Sequence, residues 1–259
     1  MPPIQLYAKN EGYIQKRTES FFMRLDRFLA DCGLGTRSEV KKMIKSGAVA
    51  VNGKTITKAE VHVDADSDTV TAFGTEVEYR KFVYLMLNKP QGYISATRDG
   101  RTPTVMELVP EEYLHFEPFP VGRLDIDTEG FLLITNDGDL AHRLLSPKKH
   151  IPKTYVARIQ KPVTERDIKA FREGVVLDDG YKTLPAELKG FEDKNGFWAE
   201  IVIHEGKFHQ VKRMFEAVSN KVLYLKRTKM NKLALEEELE LGEVRELTDE
   251  ELALLVPEK

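Results

Sequence analysis

Patterns of strand length and of helix length follow one another irregularly along residues 82–255, and this limits the possible folds more than any other property of the chain. FVYLMLN (82–88) and FLLIT (131–135) are nearly all apolar, as expected of buried strands. TYVARI (154–159) and FWAEIVIH (197–204) alternate apolar with polar residues, the period of a strand with one wet face. A helix is expected at 165–173, with Thr164 as its cap and Gly174 after it. Another is expected at 208–219, ending at Asn220, and a last short one opens with Thr248 and Glu251 as a capping box. No regular strand–helix–strand spacing joins these elements. A doubly wound parallel sheet is therefore not expected, and the pattern predicts an α+β fold with a mainly antiparallel sheet. With 259 residues, 41% of them hydrophobic, the chain can form one large domain or two modest ones, each with its own core.

A smaller unit precedes this region. In RLDRFLADCGL, Leu25, Phe28, Leu29 and Cys32 follow the i, i+3, i+4, i+7 rule of a helix that Gly33 and Gly35 then break. A second helix is expected with Ser38 as N-cap, with Val40, Met43 and Ile44 inward, Lys41, Lys42 and Lys45 outward, and Gly47 at its stop. AVAVNGKTI then reads as a hairpin turning at Asn52-Gly53. The expected organisation is an N-terminal extension (1–22), either flexible or upstream of a true start at Met23, then a small domain (23–64), a linker (65–81) and a large domain (82–259).

Charge totals mislead here. With 39 Lys+Arg against 42 Asp+Glu, the net charge is −3, which taken alone argues against a polyanion-binding protein. By segment the balance is +4 over 23–63, −5 over 64–79, +4 over 142–153, +6 over 201–232 and −8 over 233–259. Acidic segments thus cancel a chain that is otherwise basic. Basic stretches interleaved with Tyr155, Phe208 and Tyr224 fit a nucleic-acid surface as well as ordinary solvated faces. The single cysteine, Cys32, excludes an internal disulfide framework or a Cys-rich zinc site and favours a reducing compartment. No apolar run reaches the ~18 residues that span a bilayer, and the first residues lack the apolar core of a signal peptide. A cytoplasmic protein without membrane contact is expected. His142, His150, His204 and His209 have no metal-binding spacing, and no phosphate loop or dinucleotide fingerprint is present, so no metal or cofactor is expected.

Four stretches carry chemistry. In VGRLDIDTEGFLLITNDG (121–138), Leu124 and Ile126 alternate with Asp125 and Asp127, a strand period that puts both carboxylates on one face beside Arg123. Such a carboxylate can serve as nucleophile or base; two aspartates that satisfy backbone donors in a turn would give the same spacing. EGKFHQVKRMF (205–215) crowds Lys207, His209, Gln210, Lys212 and Arg213 at a turn-to-helix junction, suited to a carboxylate or phosphate, or to a surface helix. LNKPQGY (87–93) places Lys89 in a turn after a strand, and KTYVARI puts Lys153 and Tyr155 on one strand face.

These four stretches, in this order and after a basic two-helix-and-hairpin unit, resemble the ribosomal small-subunit pseudouridine synthase A family, with the first unit similar to an S4 RNA-binding domain. The resemblance spans about residues 23–255, and GRLD-x-D-T is its most specific motif. HQVKRM is more like the small-subunit enzymes than the large-subunit ones, whose helix typically reads R-Q-V-R-R-M. The resemblance implies an isomerase that converts a uridine of small-subunit (16S) rRNA to pseudouridine after flipping the base, acting as a monomer on naked RNA or on a partly assembled ribonucleoprotein. It makes Asp125 the catalytic aspartate, Tyr155 the ring against the uracil, and Lys212 the cation paired with the carboxylate; Asp127 is read as structural. Arg24, Arg27, Arg37, Lys41, Lys42, Lys45, Lys89, Arg123, Lys153, Lys207, His209, Gln210 and Arg213 are expected to bind RNA. The alternatives are a non-catalytic ribosome-associated RNA-binding protein, a synthase acting on large-subunit rRNA, and a glycosidase, for which no partner carboxylate is evident.

Overall fold

The computed structural model describes residues 21–256. The chain divides into two compact units: residues up to Val83 with Pro110–Pro118, and Tyr84–Val109 with Phe119 onward. The expected N-terminal extension lies outside the described residues except for Phe21 and Phe22.

The first unit begins with β1 (Phe22–Arg24), α1 (Leu25–Asp31) and α2 (Arg37–Lys45). Val40 and Ile44 of α2 join Leu25, Phe28 and Leu29 of α1 in the core, and Lys41, Lys42 and Lys45 stay outside. The cap of α2 is Thr36, not the expected Ser38. Thr36 and Glu39 exchange side-chain and backbone hydrogen bonds in a full capping box, which satisfies two orphan backbone donors where Ser38 would satisfy at most one. β2 (Val49–Val51) and β3 (Lys54–Ile56) form the expected hairpin, with Asn52 and Gly53 at φ 49° and 75°, the left-handed pair such a turn needs. β4 (His62–Asp64) pairs with β1.

The linker expected at 65–81 is corrected. β5 (Val70–Ala72) and β6 (Thr75–Glu76) lie there, and β5 pairs with β2, so the acidic stretch completes the first unit's sheet, order β3–β2–β5–β6. The short α3 (Glu111–Leu114) also belongs to this unit rather than to the large domain: the His115 ring fills the space where Gly33 lacks a side chain, and Arg80 lies over the Phe116 ring.

The second unit is built on one sheet. Its elements are β7 (Tyr84–Lys89), β8 (Phe119–Pro120), β9 (Glu129–Thr135), α4 (Gly138–Leu145), β10 (Lys153–Ile159), α5 (Glu165–Glu173), β11 (Glu187–Asp193), β12 (Gly196–Ile203), α6 (Gln210–Ala217), β13 (Val222–Met230), β14 (Leu233–Ala234), β15 (Val244–Glu246) and α7 (Asp249–Leu255). The sheet runs β11–β12–β10–β13–β9–β7–β15, with β8 on β9 and β14 on β13. Every pairing is antiparallel except β13 with β9. This is the α+β architecture that the irregular spacing predicts. β7 and β9, the two apolar runs, are buried along nearly their whole length, whereas β10 alternates. Leu140, Ala141 and Leu144 of α4 and Leu252 and Leu255 of α7 share a core with Met86, Phe131 and Leu133 of the sheet.

Candidate active site

The stretch around the two aspartates is not a strand. Residues 123–128 form a loop that leads into β9, and the Thr128 N–H donates to the Asp125 carbonyl (3.0 Å), the closure of a four-residue turn. Period-two spacing over four residues fits both forms; tertiary hydrogen bonds select the turn. Two come from one side chain, which also binds the carbonyl next to it in the chain. The Lys89 ammonium donates to the carbonyls of Pro90 (3.0 Å), Asp125 (3.1 Å) and Thr128 (2.9 Å). The Gly92 N–H donates to the Ile126 carbonyl (2.8 Å), and Ser95 bonds Leu124 at both its N–H and its carbonyl.

This overturns one expectation about Lys89. It is fully buried, so it cannot meet RNA; it tethers the aspartate loop instead. Burial lowers its pKa to about 8, against the opposing pull of Asp127, Asp125 and Glu129.

With the loop fixed, both aspartates do converge, through the turn, on α6. Lys212 Nζ lies 3.2 Å from Asp125 Oδ2 and 2.6 Å from Asp127 Oδ1, and His209 Nε2 lies 3.7 Å from Asp125 Oδ1. The Lys212 side chain is 20% exposed and that of Asp125 26%, so the ion pair is sheltered without being fully buried. Burial works against the Lys212 charge, but the Asp127 hydrogen bond and the Asp125 charge outweigh it and hold the lysine above its ordinary value. Burial likewise opposes the Asp127 charge, and the Lys212 hydrogen bond overrides it and holds Asp127 below the usual carboxylate range. Asp127 is thus a partner in the ion-pair triad, a contact its sequence context does not reveal.

The strand registers place further groups in one row. Tyr155 of β10 stands opposite Arg227 of β13, Arg227 opposite Gly130 of β9, and Gly130 opposite Lys89 of β7. Tyr155 and Arg227 are 7% and 2% exposed, and the Arg227 Nε–H donates to the Phe131 carbonyl (2.7 Å). At Gly130, φ is 101° and a Cβ would run into the Arg227 backbone, so only glycine lets β13 lie beside the exit of the aspartate loop.

Other expected RNA contacts divide in two. Lys153 is buried, donates to the Ile151 carbonyl (2.9 Å), and has its pKa lowered to about 8 by burial and by Arg227. Gln210 is buried between Glu205 and the Lys207 N–H. Arg213 is mostly covered and holds Asp178 and Asp179. In each of the three the polar head is engaged by the protein itself, Arg213 at exposed aspartates and the other two under cover. Arg123 and Lys207 are exposed, with Lys207 over the Tyr181 ring. In the first unit Arg24 pairs with Asp26 and Arg27 with Asp31, while Arg37, Lys41, Lys42 and Lys45 are exposed on α2, with Lys41 3.9 Å from Asp26. Glu205, which the sequence pattern does not single out, is 9% exposed and accepts from Tyr181 Oη (2.7 Å), the Leu184 N–H (2.9 Å) and Gln210 Nε2 (3.0 Å), fixing the turn before α6. Among the described residues no group of three or more His, Cys, Asp or Glu side chains could hold a metal, and no helix is long and apolar enough to cross a membrane.

The model of the RNA pseudouridylate synthase family matches residues 83–217, more than half of the chain, and includes the aspartate loop, Tyr155 and Lys212. The chain belongs to the RNA pseudouridylate synthase family. The S4 domain model matches residues 23–70 of this synthase. An RNA pseudouridine synthase of Bacillus subtilis is 53% identical over 235 residues, 90% of this chain and 98% of the relative. The ribosomal small subunit pseudouridine synthase A of Haemophilus influenzae is 39% identical over 90% of this chain and 100% of its own length. The ribosomal large subunit pseudouridine synthase B of Bacillus subtilis is 38% identical over 90% and 95%. A crystal structure of a pseudouridylate synthase superposes with a TM-score of 0.62 at 38% identity, covering 90% of this synthase and 100% of that chain.

Proposed function

We propose that this pseudouridine synthase acts on ribosomal RNA of the small subunit, with Asp125 as its catalytic carboxylate. The observation that carries the reading is the Asp125–Lys212 ion pair on a loop tethered by a buried lysine: a carboxylate held in place, partly exposed, with its counter-charge at 3.2 Å. Isomerisation breaks the N1–C1′ bond of uridine, turns the uracil, and joins C5 to C1′; C5 loses a proton and N1 ends with one. No atom is gained, so one well-placed carboxylate, acting at C1′ or on the 2′ proton, and a ring against the uracil suffice. Tyr155 supplies that ring. Unstacking the target base costs a few kcal/mol, and stacking on an aromatic ring offsets about 1–3 of it. The exposed α2 lysines supply phosphate contacts that set affinity and register rather than sequence.

The small-subunit reading rests on the HQVKRM helix and on the relatives named small subunit pseudouridine synthase A. A large-subunit target is the second reading, because the large-subunit relative is identical to nearly the same degree. Pseudouridine mapping of both rRNAs from cells with and without this gene separates the two. Loss of one small-subunit site is expected, and loss of a large-subunit site alone overturns the choice. Asp125→Asn should abolish turnover while RNA binding persists; a fully active variant removes Asp125 from the reaction.

A further inference from the structure

The turn that leads into α6 is pinned from several directions. Glu205 holds it from beneath through Tyr181, the Leu184 N–H and Gln210; the Gln210 side chain also accepts from the Lys207 N–H (2.9 Å), and Arg213 Nη1 reaches the Phe208 carbonyl (3.4 Å). His209 closes the turn in the left-handed region at φ 50°. From this fixed backbone one large apolar side chain stands out. Phe208 is 71% exposed, and its ring stacks on the His209 imidazole with centroids 3.8 Å apart and planes 19° apart. The same imidazole is 3.7 Å from Asp125. The two rings therefore make a flat ledge at the rim of the aspartate site, with the outer face of Phe208 in solvent. Single exposed apolar residues are ordinary; an aromatic ring presented by a rigid turn, one ring away from the reacting carboxylate, is not.

We propose that Phe208 is a stacking ledge for the RNA base adjacent to the target uridine. The proposal rests on Asp125 being the catalytic carboxylate. When the target base leaves its stack, its neighbour loses a partner. The ribose bound at Asp125 brings that neighbour to the rim, where the Phe208 face replaces the lost contact. Stacking on an aromatic side chain tolerates any base, so the ledge stabilises the flipped geometry without reading sequence.

The test uses the full chain with unmodified small- and large-subunit rRNA transcribed in vitro. Phe208→Ala should lower kcat/KM about tenfold, within the range that base stacking supports. Phe208→Tyr and Phe208→Trp should restore it, and Phe208→Leu should not, because leucine keeps apolar area but offers no π face. In Phe208→Trp the added indole emission, measured against the wild type with its single Trp198, should be quenched on saturation with RNA. Activity of Phe208→Leu equal to wild type, or unchanged indole emission at saturating RNA, overturns the ledge. Asp125→Asn in the Phe208→Trp background should show the quench without turnover. If it turns over, the catalytic assignment falls, while the quench still judges the ledge.

Discussion

At the scale of single residues, the unusual group is the buried Lys89 cation. Its three carbonyl acceptors include that of Asp125 itself, so its protonation bears on the position of the carboxylate. With a folded pKa of about 8 against an ordinary 10.5, Lys89 has opposite effects on rate and on stability. The ammonium can serve three acceptors, and the neutral amine has only two protons to donate, so activity should fall as pH rises through about 8. Between pH 8 and 10.5 the unfolded chain binds more protons at this residue than the folded one, so its contribution to stability rises with pH over that window. Lys153, also lowered to about 8, adds to the stability trend. A pH–rate profile of Lys153→Met that keeps the alkaline limb excludes Lys153 as its source and is the outcome expected if Lys89 sets it; a rate that stays flat to pH 9.5 in the wild type refutes the role of Lys89. Lys212→Met should lower kcat at least ~100-fold, the order seen when a charge aligned with reacting groups is removed. Asp127→Asn should cost much less, because Asp125 keeps its own contact with Lys212. Single-turnover rates at saturating RNA measure both.

At the scale of elements, Gly130 and Gly138 make a matched pair. Gly130→Ala forces a Cβ against the Arg227 backbone at a φ of 101°, and should destabilise the protein by about 3 kcal/mol or more. Gly138, at the start of α4, has open space where a Cβ would lie, so Gly138→Ala should stay within about 0.5 kcal/mol of the wild type. Denaturant unfolding of the two variants tests the contrast. The elements also show what can be read from a sequence like this one. β10 and β12 declare themselves by alternation, α5 by its Thr164 cap, and the β2–β3 turn by Asn52-Gly53, because each signal is local. The aspartate loop is legible as chemistry but not as shape. Four residues of period two look like a strand, and the bonds from Lys89, Gly92 and Ser95 that make it a turn come from a separate segment. Lys89 itself reads as a surface cation, since nothing near it in the chain announces the carbonyls that let it be buried. β5 is hidden for the same reason: three residues in an acidic stretch become a strand only by pairing with β2.

At the scale of the whole molecule, charge is sorted along the chain. The acidic C-terminal segment is −8 and the basic stretches are +4, +4 and +6, so the net value of −3 says little about any one surface. RNA affinity should fall steeply between 50 and 200 mM salt, with the slope set by the number of phosphates neutralised. Reversing Lys41, Lys42 and Lys45 to glutamate should reduce that slope and weaken binding, with kcat at saturating RNA retained. Filter binding across a salt series measures both, and an unchanged slope would take α2 out of the RNA interface. The one parallel pairing in the large sheet has a consequence for the order of assembly. Glu129 and Gly130, at the exit of the aspartate loop, take their partners Lys226 and Arg227 from a strand made much later, and Lys212 is also made later than the loop it completes. Such long-range closure comes late in folding. A ribosome-bound chain arrested before Val222 is therefore predicted to be inactive, with protease-sensitive residues 121–130, and to gain activity once β13 has emerged. The site would then be completed only after β13 has been made, and an arrested chain active without β13 would disprove that timing.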